Sequence, residues 1–133
     1  MTPSQIEISK MIASQPWFQW EVGMRDHTGD LVVILDDTGA PKFLEVGWDP
    51  EHYPFLGDPA TDGCLHRQAC DRWGAQGIVF SGRSAQWWNA IGKGRVGEAS
   101  EIHAGRIPAY IRDAFPYHHH TAAVCAALLD GVS

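Results

Sequence analysis

"DPATDGCLHRQACDRWG", residues 58–74, decides the fold class because it reads as a helix with both ends marked. Asp58 is a good N-cap, since its carboxylate can accept a bond from an otherwise unpaired first-turn amide. Pro59 suits the first helical position, where its missing N–H costs nothing. The helix should run to Trp73, with Gly74 as the left-handed residue that closes it. Outward on either side the chain reads as extended. "LVVIL" (31–35) is a β-branched and aliphatic run between acids. "DDTGAPK" (36–42) turns the chain with Gly39 at a positive-φ position and Pro41 ending the turn, and "KFLEVGW" (42–48) alternates as the next strand of a meander. Downstream, "GIVFSGRSAQWWNAI" (77–91) reads as a hairpin about Gly82.

Three further helices complete the expectation. Residues 4–15 carry a capping box, Ser4 with Glu7, and place Ile8, Met11 and Ile12 on one face before Pro16 stops the run. "PAYIRDAF" (108–115) opens at Pro108 as a short helix that Pro116 breaks. Thr121 then caps a last helix with Val124, Cys125, Leu128 and Leu129 along one face. With no internal repeat and no low-complexity tract, the expectation is a single α+β domain over residues 1–133. A small antiparallel sheet of about five strands, meander plus hairpin, packs with three to four helices. Residues 98–118 stand out as an inserted segment before the last helix.

Bulk properties narrow the function classes. A chain of 133 residues with 44% hydrophobic content and six Trp can bury a core without disulfides or a structural metal. No apolar run approaches the roughly 18 residues that a membrane helix needs, so no membrane partner is expected. The start, "MTPSQIEISK", lacks the basic and apolar parts of a secretion signal. Three cysteines without paired spacing favour reduced thiols and a cytoplasmic location. The net charge of −6 disfavours direct nucleic-acid binding. That charge is uneven. Nine acids lie between Asp26 and Asp62 against Lys42 alone, whereas seven bases between Arg67 and Arg112 outnumber three acids. Such lopsidedness can orient a partner protein and speed its association.

The stretches "PWFQWEVGMR", "LVVILDDTGAPKFLEVGW" and "DPATDGCLHRQACDRWG" resemble a group of small α+β proteins encoded in phage and prophage genomes. The resemblance spans roughly residues 11 to 91. It is most specific at Asp58-Pro59-Ala60-Thr61, Gly63-Cys64-Leu65 and Trp73-Gly74. It implies a phage setting in a bacterial host and brings no catalytic residue with it. The chain departs from that group at Asp62, His66, Arg67 and Gln68, where the similar proteins tend to be aliphatic.

Candidate site residues fall into two sets. The first is a protein-binding surface: the acids Asp36, Asp37, Asp49 and Glu51, the tryptophans Trp87 and Trp88, and the bases Arg83, Lys93 and Arg95. In a strand Trp87 and Trp88 face opposite ways, so one of them should leave the core, and an exposed Trp beside arginines has the composition of an interface hot spot. The second set is a zinc site. His66 and Cys70, at i and i+4, share a helix face, and an extended backbone at 118–120 would send His118 and His120 to one side to complete a tetrahedral set. Cys64 lies on another face of the helix. Other patterns carry less. Gly92, Gly94 and Gly97 form a G-x-G-x-x-G without the strand-to-helix setting that a dinucleotide needs. "FSGRS" lacks a nucleophile elbow, and Cys125 sits among Ala and Leu as a packing thiol.

The function expected is that of a non-enzymatic phage or prophage accessory protein that binds a host or phage protein, of the anti-defence or host-takeover type, without a cofactor. The alternatives are a zinc-dependent enzyme or zinc-stabilised domain, and a virion structural or assembly component. A homo-oligomer is compatible with each.

Overall fold

The computed structural model describes residues 1–44, 51–83, 85–93 and 99–131. It is an α+β structure with four helices and two antiparallel sheets among those residues. In chain order the elements are α1 (Pro3–Ala13), β1 (Leu31–Leu35), β2 (Pro41–Leu44), α2 (Pro59–Trp73), β3 (Gly77–Ser81), β4 (Trp87–Lys93), β5 (Ala99–Arg106), α3 (Ala109–Ala114) and α4 (His119–Leu129). Contacts divide the chain into two compact units, Met1–Cys64 and Leu65–Ser133.

In the first unit α1 starts two residues earlier than the Ser4/Glu7 reading. Thr2 is the N-cap and Gln5 completes the capping box, because Pro3 takes the first helical position. Ile8 and Ile12 are buried on its inner face, each contributing about 1.5–3 kcal/mol of apolar burial. Met11 is at the margin. Ser9 is also fully buried, and its hydroxyl donates to the Pro54 carbonyl at 2.6 Å. β1 pairs with β2 through Leu31–Leu44, Val32–Phe43, Ile34–Lys42 and Leu35–Pro41, with a bulge at Val33. Pro41 thus begins a strand rather than ending the turn. Residues 45–48 of the expected strand lie outside the described residues. On the other side of β1, Val32 donates to Met24 and accepts from Gly23, and the Arg25–Asp26 stretch is bridged in turn to residues 53–55. A meander is therefore present, part of it as bridges too short to count as strands.

The expectation of one sheet with about five strands is corrected. The strands fall into a β1–β2 pair and a β3–β4–β5 sheet. A strand that the sequence does not announce joins the second sheet: "EASEIHAG", which reads as a poor helix, supplies β5 from Ala99 on. β5 pairs with β4, so the hairpin takes its third strand from the chain that follows it. Gly105 explains why a weak strand sequence is used there. It sits opposite Trp88, and a Cβ on it would come within 2.4 Å of the indole Nε1. Only glycine lets β5 close over that ring. Ile107, Ile111 and Phe115, from the segment set apart as an insertion, are buried in the core of the second unit.

α4 is apolar on all sides, with every residue from Thr121 to Leu129 buried, and it packs on β3, β4 and β5. Such a helix needs its terminal carbonyls satisfied from elsewhere. Arg72 donates its guanidinium to the Ala127, Leu128 and Asp130 carbonyls, and the Trp73 indole N–H donates to Ala127 at 2.8 Å. α2 itself matches the sequence reading at both ends. The Asp58 carboxylate accepts from the Thr61 amide at 3.1 Å, and Gly74 has φ +62°.

Candidate functional site

The most connected acid of the first unit is Asp26, which heads the loop Asp26-His27-Thr28-Gly29-Asp30. Its Oδ1 accepts from the Thr28 amide (3.0 Å), the Thr28 hydroxyl (2.7 Å) and the Asp30 amide (2.9 Å). Gly29 takes φ +92°, as the loop requires. The same loop recurs at Asp36-Asp37-Thr38-Gly39-Ala40. There Asp36 Oδ1 accepts from the Thr38 amide, the Thr38 hydroxyl and the Ala40 amide at 2.6–2.9 Å, and Gly39 has φ +85°. The reading of no internal repeat thus missed a five-residue turn used twice.

The two copies differ in burial. Asp36 is exposed, whereas the Asp26 side chain is 0% exposed and gives its second oxygen to His52 Nδ1 at 2.6 Å. His52 in turn stacks on Phe43 at 4.1 Å and 17°. Burial works to raise the Asp26 carboxyl, but the bonds from Thr28, His52 and Asp30 outweigh it and hold it below the ordinary value. The Thr38 hydroxyl, with the Ala40 and Thr38 amides, holds Asp36 low as well. Sequence reasoning missed Asp26 and His52 because 26 positions separate them. The doubled D-x-T-G pattern was the one local signal.

Two of the four acids proposed as a surface are engaged by the chain itself. Asp36 closes its own turn, Glu51 accepts from the Tyr53 hydroxyl, and Asp37 is exposed in the turn. Asp49 and Arg95 lie outside the described residues, as do Gly94 and Gly97, and for Lys93 the backbone alone is described. Asp58 and Asp62 accept from the Thr61 and Gly57 amides.

The zinc set does not assemble as expected. His118 is the N-cap of α4 and His119 and His120 are already helical, so the backbone fans the three instead of alternating them. Thr121, expected as the cap, is buried inside the first turn. His120 alone of the triple reaches His66, with ring centroids 5.0 Å apart, while His119 approaches Phe80. His66 Nε2 already accepts the Ile78 amide at 3.0 Å and lies 3.9 Å from the Cys70 sulfur. Burial, with the neighbouring His120 ring second, pushes the His66 imidazole down, and burial next to Asp71 pushes the Cys70 thiol up. Both groups are thereby held neutral. Among the described residues no three His, Cys, Asp or Glu side chains form a metal-holding group.

The tryptophan pair separates as the alternation requires, but the choice of surface residue needs correcting. Trp88 is 0% exposed, between Phe80 and Gly105 on the face that α4 covers, so it is no contact residue. Trp87 is 45% exposed on the opposite face. Its register partners are Ser81 on β3 and Arg106 on β5, both exposed, and Val79, also exposed, lies one step along the same face. The Trp87 ring rests on Gly82 in the β3–β4 turn, where a Cβ would meet its Cδ1 at 3.1 Å. Arg83 follows in that turn and is exposed. A tryptophan held in place by its own turn, with two arginines beside it, has the make-up of a binding anchor. Comparison with protein-family models, with curated proteins and with solved structures yields no match.

The charge asymmetry follows the two units. Residues 1–64 hold eleven acids and three bases, a net −8, and residues 65–133 hold seven bases and five acids, a net +2. No helix among the described residues is long and apolar enough to cross a membrane.

Proposed function

We propose that this chain is a phage or prophage accessory protein of the anti-defence or host-takeover type, working without catalysis by binding another protein in the cytoplasm of a bacterial host. The resemblance of residues 11 to 91 to small phage-encoded proteins supports the setting. The observation that carries the binding reading is the outer face of β3–β4–β5. Trp87, Val79 and Arg106 are exposed there, with Arg83 exposed in the adjoining β3–β4 turn, while α4 packs on the other face of that sheet. The partner is a protein with an acidic surface, because the cations flanking Trp87 favour an opposite charge across the interface.

The test is retention of proteins from bacterial lysate on immobilised chain, compared for wild type, Trp87→Ala and Arg83→Glu/Arg106→Glu. All three positions are exposed, so the fold tolerates the changes. The expected result is a partner whose retention drops about tenfold or more with either variant and weakens with added salt. A partner set identical for all three versions contradicts the reading. Self-association lost in the same variants would replace the foreign partner with a second copy of the chain.

A further inference from the structure

We propose that a cavity in the first unit, walled by Trp20 and Phe43, binds a small planar ring that carries both a hydrogen-bond donor and an anionic group. His52 accepts from the donor and Lys42 supplies the opposite charge. Nucleoside monophosphates and hydroxylated aromatic acids share that chemistry. The cavity measures about 670 Å³ and is lined by Trp20, Pro41, Lys42, Phe43 and His52. That volume is in the range of small-molecule sites.

The observation that carries the proposal is a histidine with one nitrogen fixed and the other left open. The fully buried Asp26 side chain holds His52 Nδ1 at 2.6 Å through Oδ2, while its Oδ1 is filled by the Thr28 amide, the Thr28 hydroxyl and the Asp30 amide. A carboxylate taking four bonds in this way is purely an acceptor, so the proton of that contact belongs to His52 Nδ1. In the neutral imidazole Nε2 then carries the lone pair. Nε2 makes no hydrogen bond to the described residues. Nor is it shut in: among those residues the buried side-chain atoms without a partner are Trp88 Nε1 and Arg112 Nε. It is therefore open to solvent, on a side chain that is 31% exposed. Stacking on Phe43 at 4.1 Å and 17° fixes the plane of the ring as well. A buried carboxylate that sets both tautomer and orientation is how proteins hold an imidazole ready for a ligand.

The rest of the lining says what kind of ligand suits that nitrogen. Trp20 meets Phe43 edge-on at 87°, and Phe18 meets Trp20 at 78°, so the aromatic wall is braced from within the unit. A planar ring laid against Trp20 gains apolar burial and ring contact. A ligand that brought no donor would strip water from Nε2 without replacing its bond, which is costly. Lys42 is the one base between Asp26 and Asp62 and is exposed. Its charge reaches Asp36, but no carboxylate of the described residues lies within ion-pair distance of it. A cationic ring would meet Lys42 as a like charge, whereas an anionic one gains a partner. The net −8 of the unit opposes anions in general, so a bare anion should not be held. Ring, donor and anion have to act together.

The site is independent of the Trp87 face, and its test needs no protein partner. Two parent probes, adenosine monophosphate and para-hydroxybenzoate, are titrated against the full chain. Each is compared with relatives that lack one feature. Adenosine and phenol lack the anion, ribose phosphate lacks the ring, and benzoate lacks the donor. Binding is read from proton–nitrogen spectra of the histidine rings, with His52 assigned through its contact with the Phe43 ring. The expected result is a parent that saturates and moves the His52 Nε2 signal, with each of its reduced relatives about tenfold weaker or more. The parent that binds more tightly assigns the site to nucleotides or to aromatic acids. Lys42→Gln, at an exposed position, should weaken that parent about tenfold while leaving the melting temperature unchanged. The proposal is overturned if neither parent saturates, if a reduced relative binds as tightly as its parent, if the Nε2 signal does not respond, or if Lys42→Gln leaves the affinity unchanged.

Discussion

The first unit carries far more net charge than the second, and much of it also does structural work within the chain. Five of its acids are engaged by the chain itself: Asp26 and Asp36 each close a D-x-T-G loop, Asp58 and Asp62 accept amides about the start of α2, and Glu51 accepts from Tyr53, while Asp37 is exposed. The second unit has a net charge of only +2, but its cations are differently placed. Arg83 and Arg106 are exposed beside Trp87, and Arg112 keeps a buried donor without an acceptor. Arg72, by contrast, closes the last turn of α4. The lesson is that net charge measures what a region contains, whereas binding depends on which charges the fold has left unengaged.

The largest effect should separate the two D-x-T-G loops. Asp26→Ala removes the acceptor of three loop donors and of His52 inside the fold, and should cost about 3 kcal/mol in denaturant unfolding. Asp36→Ala exposes its donors to water and should change stability little. Equal losses would mean that burial of the first loop is irrelevant. Next comes Gly105→Ala in the second unit, expected to cost about 1–3 kcal/mol, because the Trp88 ring is closed in and cannot yield to a new methyl. A stability unchanged by that substitution would contradict the placement of β5 over Trp88.

Smaller effects come from pH. Burial lowers His66, so the unfolded chain takes up a proton there before the folded one does. Its contribution is complete above the ordinary value of 6.5 and is lost as pH falls toward the lowered one. Melting temperature should therefore decline slightly as pH drops below about 6.5, and His66→Gln should flatten that decline. The loss tied to Asp26 comes much lower. The stability contributed by Asp26 is complete above the ordinary 3.8 and is lost as pH falls through the depressed folded value.

How much of this could be read from residues follows from distance along the chain. The ends of α2 were legible because Asp58, Pro59 and Gly74 act on amides and torsions within a few positions. β1 was legible because five consecutive apolar residues need no partner to be recognised. β5 was not, since Gly105 makes sense only once Trp88 lies opposite it, 17 positions earlier. Alternation showed that one of Trp87 and Trp88 must leave the core. Which one depended on the face that α4 covers, and no local pattern encodes that. The three histidines misled for a similar reason: an extended run and a helical start share one sequence, and the backbone decides which rings meet.

The most direct test sets the two units against each other in one assay. With the partner purified, its dissociation constant is measured by calorimetry for wild type, for Asp36→Lys/Asp37→Lys in the acidic unit and for Trp87→Ala in the basic one. Binding weakened about tenfold or more by Trp87→Ala and left within about a factor of three by the acidic-unit variant is the expected result. The reverse pattern, with Trp87→Ala neutral and the charge reversal disruptive, would contradict it.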